Sequence, residues 1–488
     1  MTSTQPFIGV PTCASVALLA ATVSCLAACG DSSAQGGDGG GGAHMPNTGG
    51  SGAGMSEGGA GAGSSQGGEA SQGGMANSGG DGGGSVTMSS ALCQGRFTGK
   101  GDVPFTDLAK PGVGESVTDP DFGTTITRVT SAPSGEAITP MYSTIPAWNA
   151  DGSILLLYRW GSGHELYDAN TFQKLGDLDC ATADGWHPGP SDVEHVMWHP
   201  ENPKLLYYPS LYAPGSQGPL PNLYRCDVTT GVAEIVHDFS TAPTNCSPGN
   251  DELSMGDDPQ WYPGGLVGLQ CGNKTFIYDM FADVVHGVKN GAPFDSGVAP
   301  IAGPSGELVY YGGDVYDLNL AFVRALDIVN PEEHANIGRR GNGHDVYFAV
   351  DFDGNDPSVI AAHDLATGEH IPLVSESNGW GYPGSGIHIT SVVGDHRADG
   401  WVVASVVGDP AVSAPLDEEL VVASVDTGEV CRVGRHRSAG GDGPNGYQAE
   451  PHPVWHFRAN GDVEILFGSD WGGGSSVDSY VLRYTPGG

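Results

Sequence analysis

From Thr124 onward the chain alternates short apolar runs with turn residues, and no stretch carries the apolar period of a long amphipathic helix. The runs are strand-length and rich in β-branched and aromatic side chains. Each follows a recurring turn signal. Asp151-Gly152 precedes 154–158, Asn202-Pro203 precedes 205–208, Gly264-Gly265 precedes 266–270, and Ser305-Gly306 precedes 308–311. Asn342-Gly343 then precedes 346–350, Asp399-Gly400 precedes 401–406, and Asn460-Gly461 precedes 463–467. A second turn closes several units, at Asp227 to Gly231, Asp364 to Gly368 and Asp426 to Gly428. The seven copies lie 37 to 62 residues apart. Four-stranded units of this size cannot bury both faces alone and must stack on neighbours, which predicts an all-β, seven-bladed β-propeller over 124–488. The run 124–130 belongs to no complete unit, and the seventh unit shows three clear strands. That run is therefore expected to supply the outer strand of the last blade and close the ring. Residues 91–123 remain as a lead-in.

Composition sets the N-terminal part aside. Residues 30–84 hold 24 glycines, almost no large apolar side chain and no Lys or Arg, so they cannot offset the entropy of ordering. Residues 29–90 read as a disordered Gly/Ser-rich tether. Before it runs an apolar stretch, 16–26, too short to span a bilayer. It ends in Leu26-Ala27-Ala28-Cys29-Gly30, which resembles the lipobox of bacterial lipoproteins. The resemblance implies a signal peptide over 1–28, lipidation at Cys29 and an exported protein in the bacterial cell envelope. The apolar stretch lacks the basic residues that normally precede such a signal.

Export changes the reading of the cysteines. Cys93, Cys180, Cys226, Cys246, Cys271 and Cys431 follow Cys29, an even number with no C-x-x-C spacing, so disulfides are expected rather than a cysteine metal site. The pairing is left open. The formal charge is −38, and five acids with no bases in 1–90 leave −33 for the remainder. A field of that sign excludes nucleic acid as a partner and leaves the lipid anchor as the only membrane contact. It favours a short oligosaccharide or other small ligand over a long polyanion, and a monomer is expected.

In a propeller the innermost strands line the channel, and residues just before them gather at one mouth. Counting back three residues from each first-hairpin reference position gives Ile145, His195, Asp258, Ala299, His334, His388 and His452. Imidazoles with a carboxylate suit a divalent transition metal, or an acid and base. Trp186, Trp380, Tyr382 and Trp471 lie in Gly/Pro-rich segments and are candidates to stack on sugar rings. The acidic stretch from Asp351 to Asp356 lacks the spacing of a calcium loop and reads as a hairpin turn.

Three segments carry a family resemblance. Glu194-His195-Val-Met-Trp198-His199-Pro200 is similar to the histidine-bearing blade segment of oligogalacturonate lyases, seven-bladed propellers of the TolB-like type. Tyr447-Gln448-Ala449-Glu450-Pro451-His452-Pro453 resembles their metal-binding stretch, in which Gln-x-x-His-x-His precedes the last blade. His452 matches the second histidine, Glu450 replaces the first, and Tyr447 stands where the glutamine would be, with Gln448 adjacent. His388, in Gly386-Ile387-His388, resembles the histidine given by the preceding blade. The resemblance implies a manganese-type ion on His388, Glu450 and His452, and β-elimination from a uronate. His195 is then the first candidate base and His334 the second. Arg339 or Arg340 becomes a candidate for a substrate carboxylate, and Trp471 one for a sugar ring. The alternative is a non-catalytic propeller that binds a glycan, peptide or partner protein at the cell surface.

Overall fold

The computed structural model describes residues 92–210, 218–255, 264–291, 299–329, 334–351, 356–380, 387–391, 396–408, 416–440 and 444–487. The signal segment, Cys29 and the Gly-rich tether lie outside them, as do Asp258, Trp261 and Tyr382. Among the described residues no helix is long and apolar enough to cross a membrane.

The strands form seven antiparallel sheets, six of four strands and one of five. The first strands are Ile138–Thr139, Met197–Trp198, Leu253–Ser254, Ile301–Ala302, Ala335–Arg339, Ile387–Ser391 and Val454–Phe457, one for each blade in chain order. Most of their residues are buried, whereas the fourth strands Lys174–Asp177 and Phe322–Ala325 are largely exposed. Burial that falls from first strand to last is what a radial blade requires: the inner strand faces neighbouring blades and the outer one faces water. Apolar clusters shared between blades hold the stack. Phe348, Ile360 and Val374 of blade 5 pack with Ile389, Val402 and Val421 of blade 6, all fully buried.

The ring closes as the sequence predicts. Thr125–Arg128 pairs with the last strand, Asp478–Tyr484, and so becomes the fourth strand of blade 7. The lead-in is ordered. Ser116–Thr118 adds a fifth strand beyond Thr125–Arg128, and Phe97 pairs with Arg432 on the outer strand of blade 6. That outer strand, Val430–Arg435, is buried throughout because the lead-in covers it.

The six cysteines form three disulfides, each joining neighbouring parts of the ring. Cys180–Cys226 ties the segment after blade 1 to the third strand of blade 2. Cys246–Cys271 ties the segment after blade 2 to the second strand of blade 3, and Cys93–Cys431 fixes the lead-in to blade 6 across 338 residues.

Polar contacts reinforce that last attachment. Glu419, 1% exposed, accepts both Nε and Nη2 of Arg432, and Arg432 Nη1 in turn donates to the carbonyls of Gly99 and Gly101. Arg435 Nη2 donates to the carbonyl of Val103 at 2.8 Å. Replacing Glu419 by Gln leaves a buried guanidinium without its counter-charge, which costs about 3–5 kcal/mol. Urea denaturation of Glu419→Gln should show a midpoint lowered accordingly. An unchanged midpoint would mean that the pair does not hold the lead-in.

Candidate functional site

Three blades deliver histidines to one mouth of the channel. His334 immediately precedes the first strand of blade 5, His388 is the second residue of that strand in blade 6, and His452 lies two residues before it in blade 7. Glu450 follows the short 3-10 turn Gly446–Ala449, which also carries Tyr447. Blade 1 contributes Tyr142. Its ring centroid lies 6.0 Å from that of His334, 5.6 Å from His388 and 5.3 Å from His452. The His334 and His388 rings are 4.6 Å apart, and those of His388 and His452 are 4.0 Å apart. Tyr447 closes the side, 4.9 Å from His452.

One ligand-capable atom from each of His388, Glu450 and His452 lies within 4.8 Å of the others. His388 Nε2 and Glu450 Oε2 are 2.6 Å apart, and the Tyr142 hydroxyl is hydrogen-bonded to His334 Nδ1. His452 Nε2 and His388 Nδ1 are buried and have no hydrogen-bond partner. An unmet nitrogen in such a place costs about 1–3 kcal/mol, so the donor set suits a bound cation. The backbone points the same way. His452 sits at φ 42° between Pro451 and Pro453, a left-handed conformation that few side-chain-bearing residues adopt and that strain tends to concentrate at functional sites.

Burial sets the charge states. Desolvation pushes His388 and His452 well below the ordinary imidazole value, with a neighbouring imidazole adding to the effect in each, His334 for His388 and His388 for His452. His334 is also lowered by burial, with the Glu450 carboxylate opposing. Near neutral pH all three rings are therefore neutral, the form in which an imidazole binds a metal or accepts a proton.

The other expected residues lie elsewhere. His195 is hydrogen-bonded through Nδ1 to Ser191 at 2.8 Å and through Nε2 to Ser254 at 3.4 Å, and does not join the ligand group. Ile145 is fully buried among apolar residues of blades 1 and 2, and Ala299 is also buried. Arg339 ends the strand that His334 precedes. At about 3.3 Å per residue the five steps between them put roughly 16 Å between the Arg pair and the histidine mouth. Arg340 there bridges Asp364 and Asp426 at 2.9 and 3.2 Å. Trp471 stacks on Tyr480 at 4.9 Å and donates to the carbonyl of Leu108, which gives it a packing role against the lead-in. Trp380 is buried with Lys100 over its ring, and Trp186 packs edge-on against Tyr224. Tyr142 was missed because the inner edge of blade 1 is split: Ile138–Thr139 pairs first, and contact resumes only where Trp148 pairs with Leu155. A fixed offset from Trp148 therefore lands on Ile145.

No family model matches the sequence, and no curated protein matches it. Among solved structures the chain is similar to an oligogalacturonate lyase in complex with manganese, with TM-score 0.48 and 18% identity over 75% of this chain and 95% of that one. It is also similar to an oligogalacturonate lyase from Vibrio parahaemolyticus, with TM-score 0.48 and 15% identity over 75% of this chain and 96% of that one. The propeller itself rests on the sheet topology above, and what the mouth does rests on its residues.

Proposed function

We propose that this propeller is a metal-assisted lyase that cleaves short uronate-containing oligosaccharides by β-elimination. The observation that carries the reading is the convergence of His388, Glu450 and His452 beside His334 at one channel mouth. The three ligands are two neutral imidazoles and a carboxylate, a set that suits manganese-type and similar divalent ions. A cation held there would neutralise a uronate carboxylate and so make the neighbouring C5 proton acidic.

The chain's own groups then divide the remaining work. His334 takes the role of base in place of His195, because it adjoins the ligand group while His195 is engaged with Ser191 and Ser254. In the tautomer whose Nδ1–H donates to the Tyr142 hydroxyl oxygen, His334 presents a lone pair at Nε2 to accept the proton. Tyr142 thereby orients the base and, through its ring contacts, spaces the three histidines. The net charge of the chain favours short, singly held substrates over polymers. Export and attachment at Cys29 belong to the same proposal, and three disulfides accord with an oxidising compartment.

The test is to incubate the full-length protein with manganese and a panel of oligogalacturonides, following the absorbance of the unsaturated product. Product that requires the metal and disappears in His334→Gln supports the reading. Tight metal binding without elimination on any oligouronide would instead favour a metal-dependent glycan-binding propeller.

A further inference from the structure

A second group of metal-capable side chains lies on blade 5, on strands outward of the one that His334 precedes. His363 is on the third strand, Ser358–Asp364, and His370 faces it on the fourth, His370–Ser375. Asp351 ends the second strand, Asp345–Asp351. Neighbouring strands are about 4.8 Å apart, so His363 stands roughly 10 Å outward from the inner strand that His334 precedes.

The three side chains converge. The two imidazole rings stack with centroids 4.8 Å apart and planes 24° from parallel. His370 Nε2 lies 3.6 Å from Asp351 Oδ2, and one ligand-capable atom from each of the three lies within 4.8 Å of the others. His363 is fully buried, and neither of its ring nitrogens has a hydrogen-bond partner. His370 Nε2 is also buried without one. Buried polar atoms are nearly always paired, so three unmet imidazole nitrogens in one pair of rings call for an explanation. Packing alone does not supply one, because an apolar pair of the same shape would fill the space without leaving those nitrogens unmet.

We propose that Asp351, His363 and His370 form a second metal site, for a divalent transition metal of the zinc class. Two imidazoles and one carboxylate match the ligand preferences of such ions, and thiolate is not needed. The site ties the second, third and fourth strands of blade 5 together at one point. A metal that binds only the folded chain adds stability in proportion to its affinity and concentration.

The mouth group must be silenced for the test to read blade 5 alone. The full-length His388→Ala/His452→Ala double variant, stripped with a chelator, would be titrated calorimetrically with zinc. The expected result is one equivalent bound at sub-micromolar Kd, with a thermal midpoint several degrees higher in zinc than in chelator. Adding His370→Ala, at a half-buried position, should abolish both the stoichiometric uptake and the shift. If that variant does not fold, Asp351→Asn in the same background reads the same loss. Absence of stoichiometric uptake in the double variant overturns the proposal, as does uptake that survives both substitutions. Because the mouth ligands are already gone, neither outcome bears on the lyase reading.

Discussion

His452→Ala is expected to release one equivalent of divalent metal from the mouth and to lower elimination by about 1000-fold. A bound cation supplies several kcal/mol of charge stabilisation in such chemistry, and each 1.36 kcal/mol is tenfold in rate. The remaining pair, His388 and Glu450, are hydrogen-bonded to each other at 2.6 Å and offer too few donors to retain the ion. Elemental analysis of the wild type and the variant, paired with the product-absorbance assay, measures both effects. Glu450→Gln should weaken binding without removing an imidazole, so its loss should be smaller and partly restored by excess metal. Unchanged metal content in His452→Ala would place the ion elsewhere and remove the basis of the lyase reading.

Acid should destabilise the propeller steeply between about pH 6.5 and pH 4. His164 and His436 are each buried, and desolvation brings both to about 4. Each retains one ring contact to a backbone carbonyl, His164 Nε2 to Val193 at 2.9 Å and His436 Nε2 to Val406 at 2.8 Å. A histidine whose folded value lies below its unfolded value takes up its proton first in the unfolded chain. Its contribution is therefore fully present above the unfolded value near 6.5, and is lost as pH falls toward 4. On the order of 3 kcal/mol for each residue is at stake, which is large against a typical total of about 5–15 kcal/mol. Urea midpoints at a series of pH values should fall through this window, and His436→Gln should flatten the profile. A profile flat from pH 7 to 4.5 in the wild type would show that these rings are not held neutral.

The blade repeat was legible because each unit spells its first hairpin with the same signs, a turn pair followed by a short apolar run. Ring closure was legible for a related reason: 124–130 had no unit to join and the last unit lacked a strand, and Thr125–Arg128 does fill that place. The mouth was partly legible. His334, His388 and His452 all lie within two residues of the start of their inner strands, so counting along the repeat finds them. Counting fails where the repeat is irregular, which is how Ile145 displaced Tyr142, and it gives no sense of which end of the strand a residue occupies. Arg339 is close to His334 in sequence, yet an extended chain carries it to the far end. His363 and His370 went unnoticed for another reason. They face each other across the turn from Asp364 to Gly368, and only strand pairing, never linear spacing, makes them neighbours.

The disulfide between Cys93 and Cys431 decides how the ring bears a mechanical load. The closing strand Thr125–Arg128 begins 32 positions after Cys93. A pull that enters the propeller from the N-terminal side therefore reaches a covalent bond to blade 6 before it reaches the strand that seals blade 7. Force passes from Cys93 into Val430–Arg435, so residues 94–124 lie outside the covalent path of the load. The hydrogen bonds between Thr125–Arg128 and Asp478–Tyr484, which a direct tug would peel apart one after another, carry none of the tension. Under reducing conditions the load falls on the hydrogen bonds that hold Phe97, Gly99, Gly101 and Val103 to the outer strand of blade 6, and behind them on the closing strand. The oxidised ring should then withstand a stretching force that opens the reduced one.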